Sequence, residues 1–373
     1  MKILFLLGSA SPGRDGVGDY TRILSAALIE CGHTVSMVAT HDKDIYESSR
    51  ELQGEKNNKI ECLRIPKRLP MGKRMLKIEK EIFEKCPDWI SLQFVPYSFH
   101  PKGLPFRFLE LLSILLSSHR TQVMFHECWI GITRVSPIDH KLAGYLQRKM
   151  VVRFIRRLNP DIVTTSNELY RSVLGRADII ADILPLFSNI GIVAEALVSK
   201  KEEVDNLMKS AKSYLNVGVF GTIYPQVDLV SDVEKLGQRI NNKRGKIRLI
   251  AFGRSGENGK ARLDDFEKVM QGRVPVVRLG ELKSEDVSRV MNLLDISISC
   301  TPRPHLGKSG VFAAMRLHGV EVISTTNEEL PEYDELIKEA IPRLYDRPAE
   351  HWSVDWVSRK FVDLLVKVPS QAN

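Results

Sequence analysis

The sequence predicts an α/β protein with two domains, each built on a largely parallel β-sheet covered by helices. Short apolar segments rich in β-branched residues alternate with helix-prone segments along nearly the whole chain, as in βαβ units. This alternation starts afresh behind a charged stretch at 191–212, and 373 residues suffice for two hydrophobic cores. We therefore predict an amino-terminal domain at 1–190, a carboxyl-terminal domain at 191–345 and a terminal amphipathic helix at 346–373.

The composition is typical of a globular protein with an excess of positive charge. Residues are 43% hydrophobic and 27% charged, and no apolar run reaches the ~20 residues of a membrane helix. The opening MKILFLLGSA fits a first β-strand better than a signal peptide. Five cysteines without metal or redox spacing predict buried thiols in a reducing cytoplasm. The net charge of +8 favours anionic partners, but no nucleic-acid-binding module is visible.

The amino-terminal half begins with a predicted βαβ unit. Lys2–Gly8 reads as the first strand, a helix follows from about Tyr20 to Cys31, and TVSMVAT is the second strand. The loop before the helix carries three glycines, Gly13, Gly16 and Gly18. Their spacing is not G-x-G-x-x-G, and no acid is expected at the end of the second strand, so NAD binding is not predicted. Asp19 is expected to cap the helix, with contact to a substrate hydroxyl as the alternative.

Two basic segments of this half allow more than one interpretation. Residues 51–85 are predicted to form a solvated loop and helix, and the alternative is a basic patch that docks on anionic lipid. The segment YLQRKMVVRFIRRLN places cations near one face of a helix and apolar residues on another. It predicts a surface helix over the core, or a helix that lies on a membrane.

Further along, the strands DWISLQFVP and TQVMFHE flank the helix FRFLELLSILLSSH. His126 and Glu127 close the second of these strands. Because ligands of open α/β sheets bind beyond the carboxyl ends of the strands, this pair is a candidate for substrate contact. The alternative for Glu127 is to cap a following helix.

The carboxyl-terminal half repeats the strand–helix pattern. YLNVGVFGTIYP and VPVVRLGEL are predicted strands, and GKIRLIAFGRSGENGK predicts a strand ending at Gly253-Arg254 followed by a flexible turn. SEDVSRVMNLLD predicts a helix that Ser284 caps.

The stretch Asp295–Thr325 predicts a strand, a glycine-bearing loop, a helix and a second strand. The helix should begin at Ser309 and Gly310, where unpaired backbone N–H groups, the helix dipole and Lys308 would attract a phosphate. The alternative is a tight turn with Lys308 in solvent. Gly307-Lys308-Ser309 resembles the end of a P-loop, but Pro302 replaces its first glycine, so an NTPase is not predicted.

Together these segments resemble the glycosyltransferases of the GT-B fold, a large group that includes many bacterial sugar transferases. The matching pieces are GVGDYTRILSAALIECGHTV, FHE, TSNELY and LPLFSNI in the first half, and VGVFGTIYP, AFGRSGENG, LGELKSEDVSRVMNLLDISISCTP and GKSGVFAAMRLHGVEVIST in the second. Their order and spacing cover nearly the whole chain. The resemblance implies two Rossmann-like domains that face each other across a cleft, with the terminal helix crossing back to the first domain.

The resemblance also implies a function. A nucleotide-sugar donor would be held mainly by the second domain, and a glycan, lipid-linked or small-molecule acceptor would enter from the first. His126 would lie near the transferred sugar, so His126 and Glu127 are the catalytic candidates. The donor-binding candidates are Gly16, Gly18, Gly221, Thr222, Arg254, Lys260, His305, Lys308, Ser309 and Gly310. No cofactor or metal is expected, and the protein is expected in the cytoplasm, with peripheral contact to the inner face of the membrane as an option.

Two departures from the family pattern stand out. Retaining members often carry two glutamates separated by seven residues, and His305 and Ala313 occupy those positions. The usual arginine and lysine after the VGVFG strand are replaced, with Thr222 and Gln226 in that region. The lost positive charge would come from three other cations, Arg254, Lys260 or Arg303. The alternatives are a GT-B epimerase or phosphorylase, and a non-catalytic binding protein.

Overall fold

The computed structural model describes residues 1–54, 58–132, 136–193, 201–224, 227–240, 246–324 and 335–369. The chain divides into two units, each with its own sheet and core. Unit 1 comprises Met1–Pro185, Glu332–Ala340 and Val354–Asn373. Unit 2 comprises Leu186–Pro331 and Ile341–Ser353.

Unit 1 is built on an eight-stranded sheet in the order β3-β4-β2-β1-β5-β6-β7-β8. The strands are β1 (Lys2–Leu7), β2 (Thr34–Asp42), β3 (Ser49–Gln53), β4 (Ile60–Pro66), β5 (Trp89–Phe94), β6 (Thr121–Phe125), β7 (Ile162–Thr165) and β8 (Asp182–Ile183). All neighbours pair in parallel except β3, which is antiparallel to β4. The central strands are apolar and buried along nearly their whole length because helices cover both faces of such a sheet.

Six helices of unit 1 precede the second unit in the chain. They are α1 (Gly16–Glu30), α2 (Met71–Lys85), α3 (Pro96–Phe99), α4 (Phe106–Leu115), α5 (Ile138–Leu158) and α6 (Glu168–Gly175). In α5, buried Met150, Phe154 and Leu158 recur every four residues, so one face of the helix packs on the core.

Unit 2 has a five-stranded parallel sheet in the order β11-β10-β9-β12-β13. Its strands are β9 (Tyr214–Phe220), β10 (Lys246–Phe252), β11 (Val276–Gly280), β12 (Ile296–Ser299) and β13 (Glu321–Ser324). The helices are α7 (Glu202–Lys209), α8 (Leu229–Ile240), α9 (Gly256–Met270), α10 (Ser284–Leu293), α11 (Gly310–Leu317) and α12 (Glu335–Asp346). Residues of α12 fall in both units. Two apolar clusters, one led by Phe312 and one by Phe266, form the core.

The last helix, α13 (Val354–Lys367), belongs to unit 1. Its buried Phe361 stacks on Phe5 of β1, with 5.8 Å between the ring centroids. Arg120 Nη2 also donates to the carbonyl of Val368 at 2.7 Å. A segment far along the chain therefore completes the core next to the first strand.

Several local predictions were wrong. Residues 60–66, predicted as part of a solvated loop, form the buried strand β4. The turn predicted after Gly253-Arg254 is the start of α9. Cys31 and Cys86 are exposed, although buried thiols were predicted.

The predicted helix caps also need correction. The first helix begins at Gly16 because Asp15 caps it by accepting from Gly18 N at 2.8 Å. Asp19 instead accepts from Gly13 N at 3.0 Å and pairs with Arg22. Ser284 is the first residue of α10 and does not cap it through its side chain.

Candidate functional site

The turn after β9 and the beginning of α11 lie side by side in unit 2. Gly221 follows β9 with a φ of +79°, a conformation that glycine adopts without strain, and its N–H donates to Phe252 O at 2.9 Å. A Cβ added to Gly221 would lie 3.9 Å from Cγ2 of Val311, in the first turn of α11. The structure therefore brings the candidates Gly221 and Gly310 into one neighbourhood.

The amino terminus of α11 has the features of an anion site. Ser309 caps the helix, since its Oγ accepts from Phe312 N at 3.3 Å and is held by the hydroxyl of Thr301 at 3.1 Å. Gly310 is exposed, and a Cβ built on it meets nothing within 4 Å. The first-turn N–H groups of a helix lack intrahelical partners and carry the positive end of its dipole. Half-buried Lys308 adds a full positive charge beside them.

His305 and Ala313 flank this helix start. His305 lies in a 3₁₀ turn, Arg303–Lys308, where burial and then the charge of Lys308 lower its pKa to about 4. It is therefore neutral at pH 7. Ala313 is fully buried in the core of unit 2, so this position offers no contact to a ligand.

The remaining unit 2 candidates lie on the surface around the same sheet edge. Thr222 is exposed, Arg254 pairs with Glu281 at 2.9 Å, and Lys260 pairs with Glu257 at 2.9 Å.

Gly221 and Lys260 line a cavity of about 400 Å³. Arg278, which the sequence did not single out, lines it too and is held by two carboxylates of α9. Gln226 lies outside the described residues.

In unit 1 the two glycine candidates differ. Gly18 is buried, and a Cβ on it would come within 2.8 Å of the Ser9 carbonyl oxygen, so its small size is needed for packing. Gly16 is exposed with open space around it. Only Gly16 is therefore placed where a ligand could approach the backbone.

His126 follows β6 and is half-buried. Its Nε2 lies 2.8 Å from Gln93 Oε1, and its ring meets Tyr20 edge-on at 4.9 Å. Gln93 donates its amide N–H to Ser91, which leaves its oxygen to accept the Nε2 proton of His126. Burial lowers the pKa of His126 to about 3, so the ring is neutral at pH 7 and Nδ1 is the acceptor.

Glu127 is exposed and does not cap the next helix. That helix, α5, begins at Ile138 behind Pro137. Burial raises the pKa of the Tyr170 hydroxyl, and the negative charge of Glu127 raises it further. Glu127 is thus the accessible carboxylate beside His126.

A buried ion pair at the end of β2 corrects one prediction. The strand ends in Asp42, an acid where none was expected, and its Oδ2 lies 2.8 Å from Arg64 Nε. Arg64 also donates to Ser11 Oγ at 2.6 Å, and Ala10 N donates to Asp42 at 3.3 Å. Burial opposes ionisation, but Arg64 and the backbone N–H groups hold the pKa of Asp42 below its usual value. Asp42 therefore anchors the loop after β1.

A basic groove of about 1110 Å³ lies between α4 and α5. Its cations are Arg148, Lys149, Arg153, Arg156 and Arg157, and its acids are Glu110 and Asp178. The amino-terminal half of α5 exposes large apolar side chains, including Ile138 at 85% and Leu142 at 64%. Within the part of the chain that the structure describes, no helix is long and apolar enough to cross a bilayer.

No protein-family model and no curated protein matches the sequence. Solved structures match along nearly the whole chain. HepE of Anabaena, in complex with UDP, is 15% identical, with a TM-score of 0.56 over 98% of this chain and 97% of its own. Sucrose-phosphate synthase from Thermosynechococcus elongatus is 15% identical, with a TM-score of 0.52 over 98% and 94%. A putative UDP-N-acetylglucosamine 2-epimerase from Listeria monocytogenes is 12% identical, with a TM-score of 0.50 over 98% and 88%.

At 12–15% identity these likenesses establish the fold. The chain has the two-domain GT-B fold, which confirms the fold class that the sequence predicted.

Proposed function

We propose that the protein is a glycosyltransferase, which moves a sugar from a nucleoside-diphosphate donor to an acceptor hydroxyl. The observation that carries this proposal is the start of α11, where the capping residue Ser309, open Gly310 and the Lys308 cation have the chemistry that suits a diphosphate. A protein of the same fold, HepE, has been solved with UDP and with UDP-glucose. We place the donor in unit 2 and the acceptor in unit 1.

The chemistry needs little from the protein beyond positioning and charge. The bond from the sugar to the diphosphate oxygen breaks, a bond to the acceptor oxygen forms, and the acceptor loses its hydroxyl proton. Negative charge grows on the diphosphate as it leaves, and pre-oriented amides and cations stabilise it. The N–H groups of α11 and Lys308 would supply this, so we propose a reaction without a cofactor or a metal ion.

The unit 1 candidates His126 and Glu127 are suited to orient the sugar and to accept the proton of the acceptor. Neutral His126 is suited to orient a sugar hydroxyl through Nδ1, because it carries no charge at pH 7. Glu127, the exposed carboxylate beside it, is suited to accept the acceptor proton.

The proposal is tested by adding UDP-, GDP- and dTDP-sugars and measuring the melting temperature. A donor at 100 times its Kd adds about 2.7 kcal/mol to the free energy of unfolding. We expect Lys308→Ala to weaken donor binding about tenfold or more, because it removes one charge-assisted contact to phosphate. The matched control is Lys268→Ala, at an exposed side chain of α9. No shift with any nucleotide sugar would favour a non-catalytic binding protein.

An epimerase is the second candidate, because a putative epimerase shares the fold. The two activities differ in their need for an acceptor. Products should be followed by mass spectrometry with and without added acceptor sugars. A glycosylated product supports the transferase, whereas an isomerised donor without acceptor supports the epimerase.

We further propose that the protein works in the cytoplasm with α5 against the inner face of the membrane. Cations of the basic groove suit anionic headgroups, and the exposed apolar residues of α5 suit the acyl boundary. The test is flotation with anionic and with neutral liposomes at low salt. Arg153→Glu together with Arg156→Glu should abolish flotation, and the same change at two exposed lysines of α9, Lys260 and Lys268, should not. Equal binding to neutral liposomes would contradict this proposal.

A further inference from the structure

Arg74 is a buried cation in the first turn of α2. The residue is only 8% exposed, and its Nε and Nη1 are buried without a hydrogen-bond partner among the described residues. Three N–H donors therefore point into the protein unused. Burial alone lowers the pKa of this guanidinium, in contrast to Arg64, whose carboxylate partner Asp42 raises it.

The surroundings of Arg74 are cationic. Burial lowers the pKa of His41, near the end of β2. The positive charges of Arg74, Lys67 and His100 lower it further. Two carboxylates on the same elements already have partners: Asp42 of β2 binds Arg64, and Glu81 of α2 binds Arg50. An anion would complete the charge balance of this cluster.

The amino terminus of α2 adds backbone donors to the cluster. The helix is 15 residues long and begins after Pro70, whose side chain makes no capping hydrogen bond. Gly72 in its first turn has open space around it. The N–H groups at such a helix end attract an anion, and the dipole acts in the same direction.

We propose that Arg74, the first turn of α2 and Lys67 form a binding site for a phosphate group carried by the acceptor substrate. The identity of that substrate as an acceptor rests on the proposed function, whereas the anion site rests on Arg74 and the groups around it. The cluster lies at the carboxyl edge of the unit 1 sheet, beside β2 and β4, where ligands of such sheets bind. The substrate class is then a phosphorylated sugar or a lipid phosphate rather than a neutral sugar.

The first experiment compares Arg74→Met with Lys77→Met, an exposed position on the same helix. Both changes are made in a Lys308→Ala parent, which weakens phosphate binding at the start of α11, and melting temperatures are measured in phosphate-free buffer and with inorganic phosphate, glucose 1-phosphate or glucose. We expect both phosphates to raise the melting temperature of the parent and of Lys77→Met, and glucose to have no effect. Arg74→Met should lose this response, with a Kd at least tenfold higher.

A second readout separates an anion site from a structural arginine. Without phosphate, Arg74→Met should melt at the same or a higher temperature than the parent, because it removes an unpaired buried charge. A large drop in the melting temperature, or an unchanged response to phosphate, would overturn the site. Arg74→Gln, which keeps polarity without charge, is measured in parallel and should lose the response to phosphate as well.

A separate comparison tests whether the bound phosphate belongs to an acceptor substrate. Glucose 1-phosphate should bind more tightly than inorganic phosphate, and equal affinities would refute a phosphorylated acceptor. These measurements contain no nucleotide sugar. A phosphate response without any response to nucleotide sugars would therefore reject the proposed function while the anion site stands.

Discussion

Two glycines of α1, two positions apart, are predicted to respond differently to the same substitution. In Gly18→Ala the new methyl group would come within 2.8 Å of the Ser9 carbonyl oxygen, so the loop after β1 must move. We expect a loss of about 1–3 kcal/mol in the free energy of unfolding, measured by chemical denaturation. Gly16→Ala meets no atom within 4 Å and should change that free energy by less than about 0.5 kcal/mol.

The same pair also bears on function. If Gly16 contacts the donor or acceptor, Gly16→Ala lowers transfer at unchanged stability. If Gly18→Ala were as stable as the parent, the close packing of α1 on this loop would be refuted.

At the scale of single residues, local features of the chain were easier to predict than contacts between residues far apart in the sequence. The helix start at Ser309 and Gly310 could be predicted because its signals are sequence neighbours, which are also neighbours in space. Asp42 was missed because the second strand was predicted to end at Thr40, and because its partner Arg64 lies on a strand that was not predicted. Arg74 was missed for a related reason, since no sequence pattern shows that a surface-like basic run buries one guanidinium.

At the scale of elements, α13 is the clearest case for an energetic test. Phe361 is almost fully buried against Phe5, whereas Val366 on the same helix is 67% exposed. Phe361→Ala should lower the free energy of unfolding by about 3–5 kcal/mol, since it removes an aromatic ring and leaves a cavity. Val366→Ala should change it by less than about 0.5 kcal/mol. Equal effects in denaturant titrations would mean that α13 does not dock on β1.

Elements with a strong apolar period were predicted well, and elements with mixed polarity were not. β5, β6, β9 and β12 are short apolar runs between clear turns, so their pattern is unambiguous. β4 contains Glu61 and Arg64 among its apolar residues, and tertiary pairing with β2 makes it a strand. The start of α9 contains two glycines, which suggested a turn.

At the scale of the whole molecule, three histidines predict a loss of stability in acid. Burial lowers the pKa of His41 and His126 to about 3 and that of His305 to about 4. In the unfolded chain a histidine titrates near 6.5. Between these values the unfolded state binds more protons, so stability is full above pH 6.5 and falls as the pH drops.

His41, which is 5% exposed, should alone remove about 2 kcal/mol between pH 7 and pH 5. Melting temperatures of the parent and His41→Gln across this range test the expectation. The variant's curve should be flatter, because glutamine does not titrate. Parallel curves would show that His41 does not titrate as its burial requires.

The overall fold could be predicted from the sequence because the strand–helix rhythm runs through nearly the whole chain. The boundaries of the units are harder to predict, since the chain passes from one unit to the other at four points, after Pro185, Pro331, Ala340 and Ser353. The amphipathic pattern of the terminal helix indicates the last of these points, whereas the crossing after Ala340 lies inside α12, where the helical pattern continues across it.

These crossings between the two units have a consequence for biosynthesis. The ribosome makes β1 early, but the helix that covers Phe5 emerges only after all of unit 2 has been translated. Until then the nascent amino-terminal sheet carries an unshielded apolar face, a known route to aggregation. Chaperone dependence during translation, relieved by supplying α13 as a separate peptide, is the behaviour that this order of synthesis implies.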